Sequence, residues 1–118
     1  MSMASADCIF CQIAEGALPS TRVYEDDYVI AFRDVNPQAP THVLVIPKQH
    51  IPGIADPDAE DGETLARLFI AANRVVREQG IAESGYRLVF NQGNDAGQAV
   101  PHLHLHVLGG RKLGWPPG

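Results

Sequence analysis

Histidine and apolar residues alternate strictly near the end of the chain, and no other segment narrows the range of folds as much. His102, His104 and His106 are separated by Leu103 and Leu105, and two more apolar residues follow. Side chains of a β-strand point alternately to opposite faces, so the pattern predicts a strand with three imidazoles on one face. Neighbours on one face lie about 7 Å apart, so the three imidazoles can act on one ligand.

The remainder of the chain supplies the partners for this strand. A helical repeat of apolar residues predicts one long helix over 59–79, ended by Gly80. Asp7 is expected to N-cap a short helix that ends at Gly16. Runs rich in strand formers predict five strands, at 21–24, 28–32, 42–46, 86–91 and 102–108. The order β-β-β-α-β-β predicts an α+β fold with a mostly antiparallel five-stranded sheet, one long helix and one short helix.

Composition limits the kind of protein. The 118 residues are 45% hydrophobic and 19% charged, which excludes intrinsic disorder and suits one domain over 1–118. Residues 1–7 are expected to be disordered, and 109–118 form a C-terminal tail. The net charge of −5 argues against a nucleic-acid partner, because such proteins need clustered Lys and Arg.

The sequence predicts neither a membrane partner nor export. No apolar run approaches the roughly 20 residues of a membrane-spanning helix, and the first residues lack the basic and apolar regions of a signal peptide. Cys8 and Cys11 are too close in sequence to link distant parts of a fold. A reducing, cytoplasmic location is therefore expected.

Three functions suit three imidazoles on one face: a metal cage, a proton shuttle, or nucleophilic catalysis. Ordinary surface strands expose Thr, Lys, Glu and Ser instead, so a functional site is favoured over a solvated strand. A loop containing Gly93 and Gly97 leads into the histidine segment, and its backbone N–H groups could bind a phosphate. The combination favours phosphate chemistry.

The alternating segment 102–108 resembles the histidine triad motif. Segments 32–42, 45–50 and 108–118 resemble the Hint branch of that family, and the resemblance extends over 9–118. It implies the HIT-like α+β fold and a homodimer in which the sheets of two chains join. It also implies a nucleotide hydrolase that needs no cofactor for catalysis.

The resemblance also assigns catalytic roles. His104 matches the nucleophile that attacks the α-phosphorus and forms a covalent nucleotidyl-histidine, which water hydrolyses. Its other ring nitrogen is held protonated by a backbone carbonyl in the family. His106 and His42 match donors to the phosphate oxygens, which stabilise charge in the transition state.

Substrate contacts follow from the same resemblance. Asp34 matches the carboxylate that accepts from the ribose hydroxyls. Asn91 and the backbone around Gly97 and Ala99 match phosphate contacts, and Trp115 belongs to the tail that lies near the partner subunit's nucleotide site. The expected substrate-binding set is Asp34, Asn91, Gly97, Ala99, His104, His106 and Trp115.

Two positions refine the expected reaction. Many Hint relatives have a serine where this chain has Ala99, and that serine is thought to help protonate the leaving amine. Activity is therefore expected, and the leaving-group preference is left open. The nucleotidyltransferase branch has Gln in place of the third histidine, so His106 favours hydrolysis.

Cys8 and Cys11 have the spacing of a zinc-ligand pair, but a second such pair is absent. Some bacterial relatives complete the site with histidines that match His50 and His102, which would make it a closed structural zinc site. Free buried thiols and a redox pair are the alternatives.

The expected function is hydrolysis of purine nucleoside 5′-phosphoramidates, that is, AMP or GMP conjugates such as adenosine 5′-monophosphoramidate or AMP-lysine. A dinucleoside polyphosphate hydrolase is one alternative. A nucleotide-binding regulatory module without catalysis is another. Intact His42, His104 and His106 favour an enzyme, because a binding module needs no nucleophile.

Overall fold

The computed structural model describes residues 7–118. The prediction that residues 1–7 are disordered lies outside the described residues, except for Asp7. Two short 3₁₀ helices, Pro57–Glu60 and Asn94–Ala96, interrupt the loops. In chain order the α-helices and strands are α1 (Ile9–Glu15), β1 (Arg22–Glu25), β2 (Val29–Arg33), β3 (Thr41–Pro47), α2 (Gly62–Glu78), β4 (Tyr86–Val89) and β5 (Leu105–Gly109).

The five strands form one sheet in the order β1-β2-β3-β5-β4, and every neighbouring pair is antiparallel. β3 and β5 meet at the centre, where Leu44 pairs with His106 and His42 pairs with Leu108. β4 therefore lies at one edge. The predicted α+β fold with an antiparallel five-stranded sheet is confirmed.

The two faces of the sheet are covered by different helices. The face under α2 is apolar and includes Val43, Val45, Leu105 and Val107, packed against helix residues such as Leu68. On the opposite face α1 covers a second cluster: Cys8, Phe10, Cys11, Ile30, Phe32, Leu44 and Ile46. Because side chains alternate along β3 and β5, His42 and His106 lie on the α1 face.

The histidine strand is shorter than predicted. β5 begins at Leu105, so His102 and His104 precede the ladder. The backbone groups there have other partners: the N–H of Leu103 donates to the Ile51 carbonyl at 2.6 Å, and the N–H of His102 donates to the Val100 carbonyl. Leu103 still packs with Leu105 and Val107 in the core under α2, as the predicted alternation requires.

Helix ends differ from the predictions by a few residues. Cys8, not Asp7, caps α1, and its sulfur accepts from the N–H of Cys11 at 3.4 Å. α2 begins at Gly62 after an Asp61 cap rather than at residue 59, because the preceding turn is a 3₁₀ helix. Gly80 follows the end of α2 with φ +74°, the left-handed conformation that glycine adopts readily.

Across residues 7–118, none of the helices combines the length and the apolar character needed to cross a bilayer.

Candidate active site

A cavity of about 530 Å³ opens on the α1 face of the sheet. One wall is apolar and comes from α1, the segment after it, β2 and β3. Polar groups gather at the other end, near the start of β5. The residues that line the cavity include Phe10, Ile13, Leu18, Phe32, Asp34, Leu44, Asn91, Gly97, Ala99, His104 and His106.

His104 is held in a single orientation. Its Nδ1 lies 2.7 Å from the backbone carbonyl oxygen of His102. A carbonyl only accepts, so Nδ1 carries the proton and, in the neutral ring, Nε2 keeps its lone pair. Phe10 packs edge-on against the ring with centroids 5.1 Å apart. The geometry presents a nucleophilic nitrogen at the polar end of the cavity.

His42 and His106 form a chain of hydrogen bonds. The backbone N–H of Gln38 donates to Nδ1 of His42 at 3.0 Å, so Nε2 of His42 carries the proton. That Nε2 lies 2.9 Å from Nδ1 of His106 and donates to it. The N–H of His42 is therefore directed at His106, and not at a phosphate oxygen as the resemblance implied. The remaining nitrogen of His106, Nε2, is then an N–H donor, and His106 lines the cavity.

The imidazoles of His42 and His106 are both neutral at pH 7. Burial is the main cause that lowers the pKa of His106 to about 4, and the neighbouring His104 and His42 add repulsion. Burial also lowers the pKa of His42, against the opposing attraction of Asp34. Neutral rings are required for the sequence of donors and acceptors just described.

Two donors converge beside His104. Nε2 of His106 lies 3.5 Å from Nδ2 of Asn91. Both atoms are N–H donors in this arrangement and neither can satisfy the other. An anionic oxygen beside the pair, within hydrogen-bond distance of both nitrogens, would accept from both, as in oxyanion-binding sites.

Asp34 lies at the edge of this group. One carboxylate oxygen accepts from the N–H of Asn36 at 2.9 Å, and the other lies 3.5 Å from Nε2 of His42. The side chain is half-buried and lines the cavity. The N–H of Asn36 thereby orients the carboxylate toward the site.

The loop 93–99 contributes backbone, whereas Trp115 lies elsewhere. Gly97 and Ala99 line the cavity, and Gly97 adopts φ +77° at the end of the 3₁₀ turn. Trp115 is 82% exposed and does not line the cavity of its own chain. Arg87 holds the tail instead, donating to the Gly114 carbonyl at 2.9 Å with its guanidinium 6.0 Å from the Trp115 ring.

Four residues form a separate group, the Cys/His cluster: Cys8, Cys11, His50 and His102. Their ligand atoms all lie within 4.8 Å of one another. The Sγ–Nδ1 distances are 3.2 Å for Cys8–His102, 3.2 Å for Cys11–His50 and 3.5 Å for Cys11–His102. Two ligands of tetrahedral zinc, at the usual Zn–S and Zn–N lengths, lie about 3.5 Å apart. The four donors therefore fit a zinc ion.

His102 has the tautomer that metal ligation needs. Its Nε2 lies 2.9 Å from the carbonyl oxygen of Pro47 and must donate to it, which leaves Nδ1 free to bind a metal. The ring is fully buried, and burial lowers its pKa to about 4. Strand alternation alone would let all three imidazoles act on one ligand, whereas the resemblance assigns His102 to the metal site. In the structure His104 and His106 face the cavity, and His102 faces the Cys/His cluster.

The sequence did not reveal two parts of the site: the backbone groups that orient the histidines, and the apolar wall of the cavity. The Gln38 N–H and the Pro47 carbonyl are backbone groups, which no residue pattern reveals. Phe32 and Leu44 could have been found, since they share the face of His42 under strand alternation. Phe10 lies between the two cysteines, and its packing on His104 depends on where α1 lies against the sheet.

Known proteins match nearly the whole chain. The HIT domain family matches residues 15–113. The purine nucleoside phosphoramidase of Escherichia coli K12 is 48% identical over 108 residues, covering 92% of this chain and 91% of that protein. An uncharacterized HIT-like protein of Synechocystis is 49% identical over 112 residues, covering 95% and 97%.

Solved structures agree with these matches. A HIT family hydrolase from Legionella pneumophila has a TM-score of 0.91 at 53% identity and covers 95% of this chain and 100% of its own. A histidine triad protein from Clostridium difficile has a TM-score of 0.90 at 48% identity, covering 95% and 97%. The resemblance noted in the sequence is confirmed, and the chain belongs to the HIT family.

Proposed function

We propose that this protein hydrolyses purine nucleoside 5′-phosphoramidates through a covalent nucleotidyl intermediate on His104. The observation that carries the proposal is the hydrogen bond from His104 Nδ1 to the His102 carbonyl, which leaves Nε2 as a nucleophile beside two convergent donors. The Escherichia coli relative bears the name of this activity.

The reaction has two steps. In the first, the Nε2 lone pair of His104 attacks the α-phosphorus, the phosphorus–nitrogen bond breaks, and the amine takes a proton from solvent as it leaves. In the second, water attacks phosphorus and gives up a proton to solvent, the bond to Nε2 breaks, and the nucleoside monophosphate leaves. Neutral imidazole suits both steps, because it is nucleophilic near pH 7 and departs readily from phosphorus.

The neighbouring residues take complementary roles in this proposal. Nε2 of His106 and Nδ2 of Asn91 donate to the non-bridging phosphate oxygens, and His42 fixes the tautomer of His106. The Asp34 carboxylate accepts from the ribose hydroxyls. The apolar wall around Phe32 binds the flat purine ring.

The backbone of loop 93–99 completes the phosphate site through Gly97 and Ala99. Ala99 has no hydroxyl to protonate the leaving amine. We therefore expect substrates whose amine is already basic to be favoured.

A substrate panel tests the proposal. The purified protein is incubated with adenosine and guanosine phosphoramidates of several amines and with diadenosine polyphosphates, and the products are quantified. Release of amine and nucleoside monophosphate from the phosphoramidates is expected to be fastest. Faster cleavage of the polyphosphates would replace this function by the alternative hydrolase, and binding without turnover would indicate a regulatory module.

The Cys/His cluster is proposed to hold one structural zinc ion. Cys8, Cys11, His50 and His102 occupy all four positions of a tetrahedral ion, so none is open for water or substrate. When bound, the metal joins α1 to the segment before β5. No catalytic step passes through it.

A homodimer is proposed in which the edge strand β4 pairs with the same strand of a second chain. Edge strands leave backbone N–H and C=O groups unpaired and are therefore natural pairing sites. Apolar side chains lie at this edge: Tyr86 on β4 is 39% exposed, and Phe69 on α2, 42% exposed, packs on Phe90 just after β4. The same assembly would place the tail with Trp115 near the partner's nucleotide site.

A further inference from the structure

The side chain of Gln98 joins both ends of loop 93–99. Its Oε1 accepts from the N–H of Gly93 at 3.0 Å, and its Nε2 donates to the carbonyl of Val100 at 3.3 Å. The same Nε2 donates to the carbonyl of Pro52 at 2.9 Å, outside the loop. A backbone bond from Gln98 N–H to the Gly93 carbonyl, 3.0 Å, closes the loop.

Gln98 points away from the cavity that its neighbours line. Gly97 and Ala99 belong to the cavity wall, whereas Gln98 does not. Its amide lies instead over Gly53, a buried residue of the segment after His50. A Cβ at position 53 would lie 3.2 Å from Nε2 of Gln98 and 2.5 Å from Oε1 of Gln92. The amide groups of Gln98 and Gln92 therefore fill the space that a side chain at residue 53 would need.

The clasp adds to two backbone bonds inside the loop, from the Gly97 N–H to Asn94 and from the Gln98 N–H to Gly93, neither of which ties the loop to the segment 52–53. Residues 94–97 are exposed, and Gly93 and Gly97 both have positive φ. Glycine-containing backbone loses much conformational entropy when it is ordered. A loop that must order itself on binding weakens the affinity for the group that it contacts.

We propose that Gln98 is a positioning residue that preorganises loop 93–99 for the substrate's phosphate by tying both loop ends to the segment 52–53. This inference rests on the proposed function, since it takes the loop as the phosphate contact. Gln98 touches no reacting atom. Its effect is on the phosphate and not on the nucleoside.

A glutamine is the side chain that this position requires. It offers one acceptor to the Gly93 N–H and donors to the two carbonyls of Pro52 and Val100. A carboxylate at position 98 keeps the size and the acceptor but has no donor and faces two carbonyl oxygens. Gln98→Glu therefore separates loss of the donor from loss of volume.

The experiment compares the binding of AMP with that of adenosine, by calorimetry on the full-length protein, since the two ligands differ only in the phosphate. In Gln98→Ala and Gln98→Glu we expect the Kd of AMP to rise about tenfold, as expected from the net loss of one or two hydrogen bonds. The Kd of adenosine should change less than about twofold.

Two further variants isolate the cause. Gly53→Ala leaves Gln98 in place but displaces the two amide groups, and should weaken AMP selectively by a smaller factor. It also serves if Gln98→Ala fails to fold. Gln79→Ala is the matched control: Gln79 bonds Arg33 at 2.9 Å at the end of α2, remote from the loop, and both affinities should stay at the wild-type values.

The outcomes separate this inference from the function on which it rests. If wild-type protein binds AMP no more tightly than adenosine, the phosphate site itself is wrong, and both proposals fall. If wild type prefers AMP and Gln98→Ala keeps the same ratio of affinities, only the positioning role is overturned. Equal weakening of both ligands together with a lower Tm would show a role in folding alone, and would overturn it as well.

Discussion

His104 and His102 are joined by a 2.7 Å hydrogen bond from the Nδ1 of one to the backbone carbonyl oxygen of the other. The His102 side chain meanwhile points into the Cys/His cluster and is anchored by the Pro47 carbonyl. One residue thus serves two neighbouring sites, with its backbone at the cavity and its ring at the cluster. Whatever holds the ring of His102 also holds the acceptor that orients His104.

Removing the imidazole of His104 should abolish turnover. We expect kcat of His104→Ala to fall by about 10⁴-fold or more, because the covalent route is lost, while AMP still binds. Rapid quenching with an adenosine phosphoramidate, followed by peptide mass spectrometry, should find the nucleotide on His104 in wild type and on no residue of the variant. Near-normal turnover of the variant, or a nucleotide trapped on another residue, would contradict the mechanism.

The Cys/His cluster should hold about one zinc ion per chain. Metal analysis of protein purified without added zinc or chelator measures this directly. Cys8→Ser should lower thermal stability, measured as Tm, more than it lowers activity, measured as kcat. The reason is that a metal present at 1,000 times its Kd stabilises the fold by about 4 kcal/mol. Substoichiometric metal with both thiols freely titratable would instead favour two buried thiols.

Stability should fall in acid partly through His106. Its pKa is about 4 in the folded chain, below the value of about 6.5 for an unfolded histidine. Protonation therefore favours the unfolded state, and stability is lost as the pH falls from about 6.5 toward 4. Urea unfolding at pH 7 and pH 5 should show a smaller loss in His106→Gln than in wild type. Identical losses in the two proteins would show that burial does not hold this ring neutral.

The exposed apolar residues beside β4 should mediate self-association. Tyr86→Glu places a charge on β4 itself and should shift a dimer toward monomer in sedimentation at micromolar concentration. Thr21→Glu, at the opposite edge of the sheet, is the control and should leave the dimer intact. A wild-type monomer, or an unaffected Tyr86→Glu dimer, would place the interface elsewhere or exclude it.

The C-terminal tail should affect the choice of amine more than the fold. Deleting residues 113–118 removes Trp115, which makes no contribution to the core of its own chain. We expect the ratio of kcat/KM for two phosphoramidates that differ only in the amine to change, with Tm nearly constant. An unchanged ratio would mean that the tail does not reach a nucleotide site.

Much of the fold followed from local patterns. The alternation of Leu103, Leu105 and Val107 determined which face packs under α2, and the helical repeat with Gly80 located the one long helix. These patterns are readable because periodicity and glycine stops depend on residues close in sequence. The histidine triad motif likewise identified the family, because its residues are contiguous in the sequence.

The division of the three histidines was decided by tertiary structure. Strand alternation groups His102 with His104 and His106, and only the family resemblance assigned it to the metal site. In the structure its backbone leaves the ladder to bond Val100, and its ring turns toward Cys8 and Cys11. The tautomers of His42, His102 and His104 likewise depend on backbone groups of Gln38, Pro47 and His102. The Pro47 carbonyl is 55 residues from His102 and meets its ring only when the chain folds. Gln38 is four residues from His42, and their contact depends on the backbone turn before β3 rather than on residue type. Residue types alone could therefore name the histidines, but the folded backbone determines which nitrogen of each carries the proton.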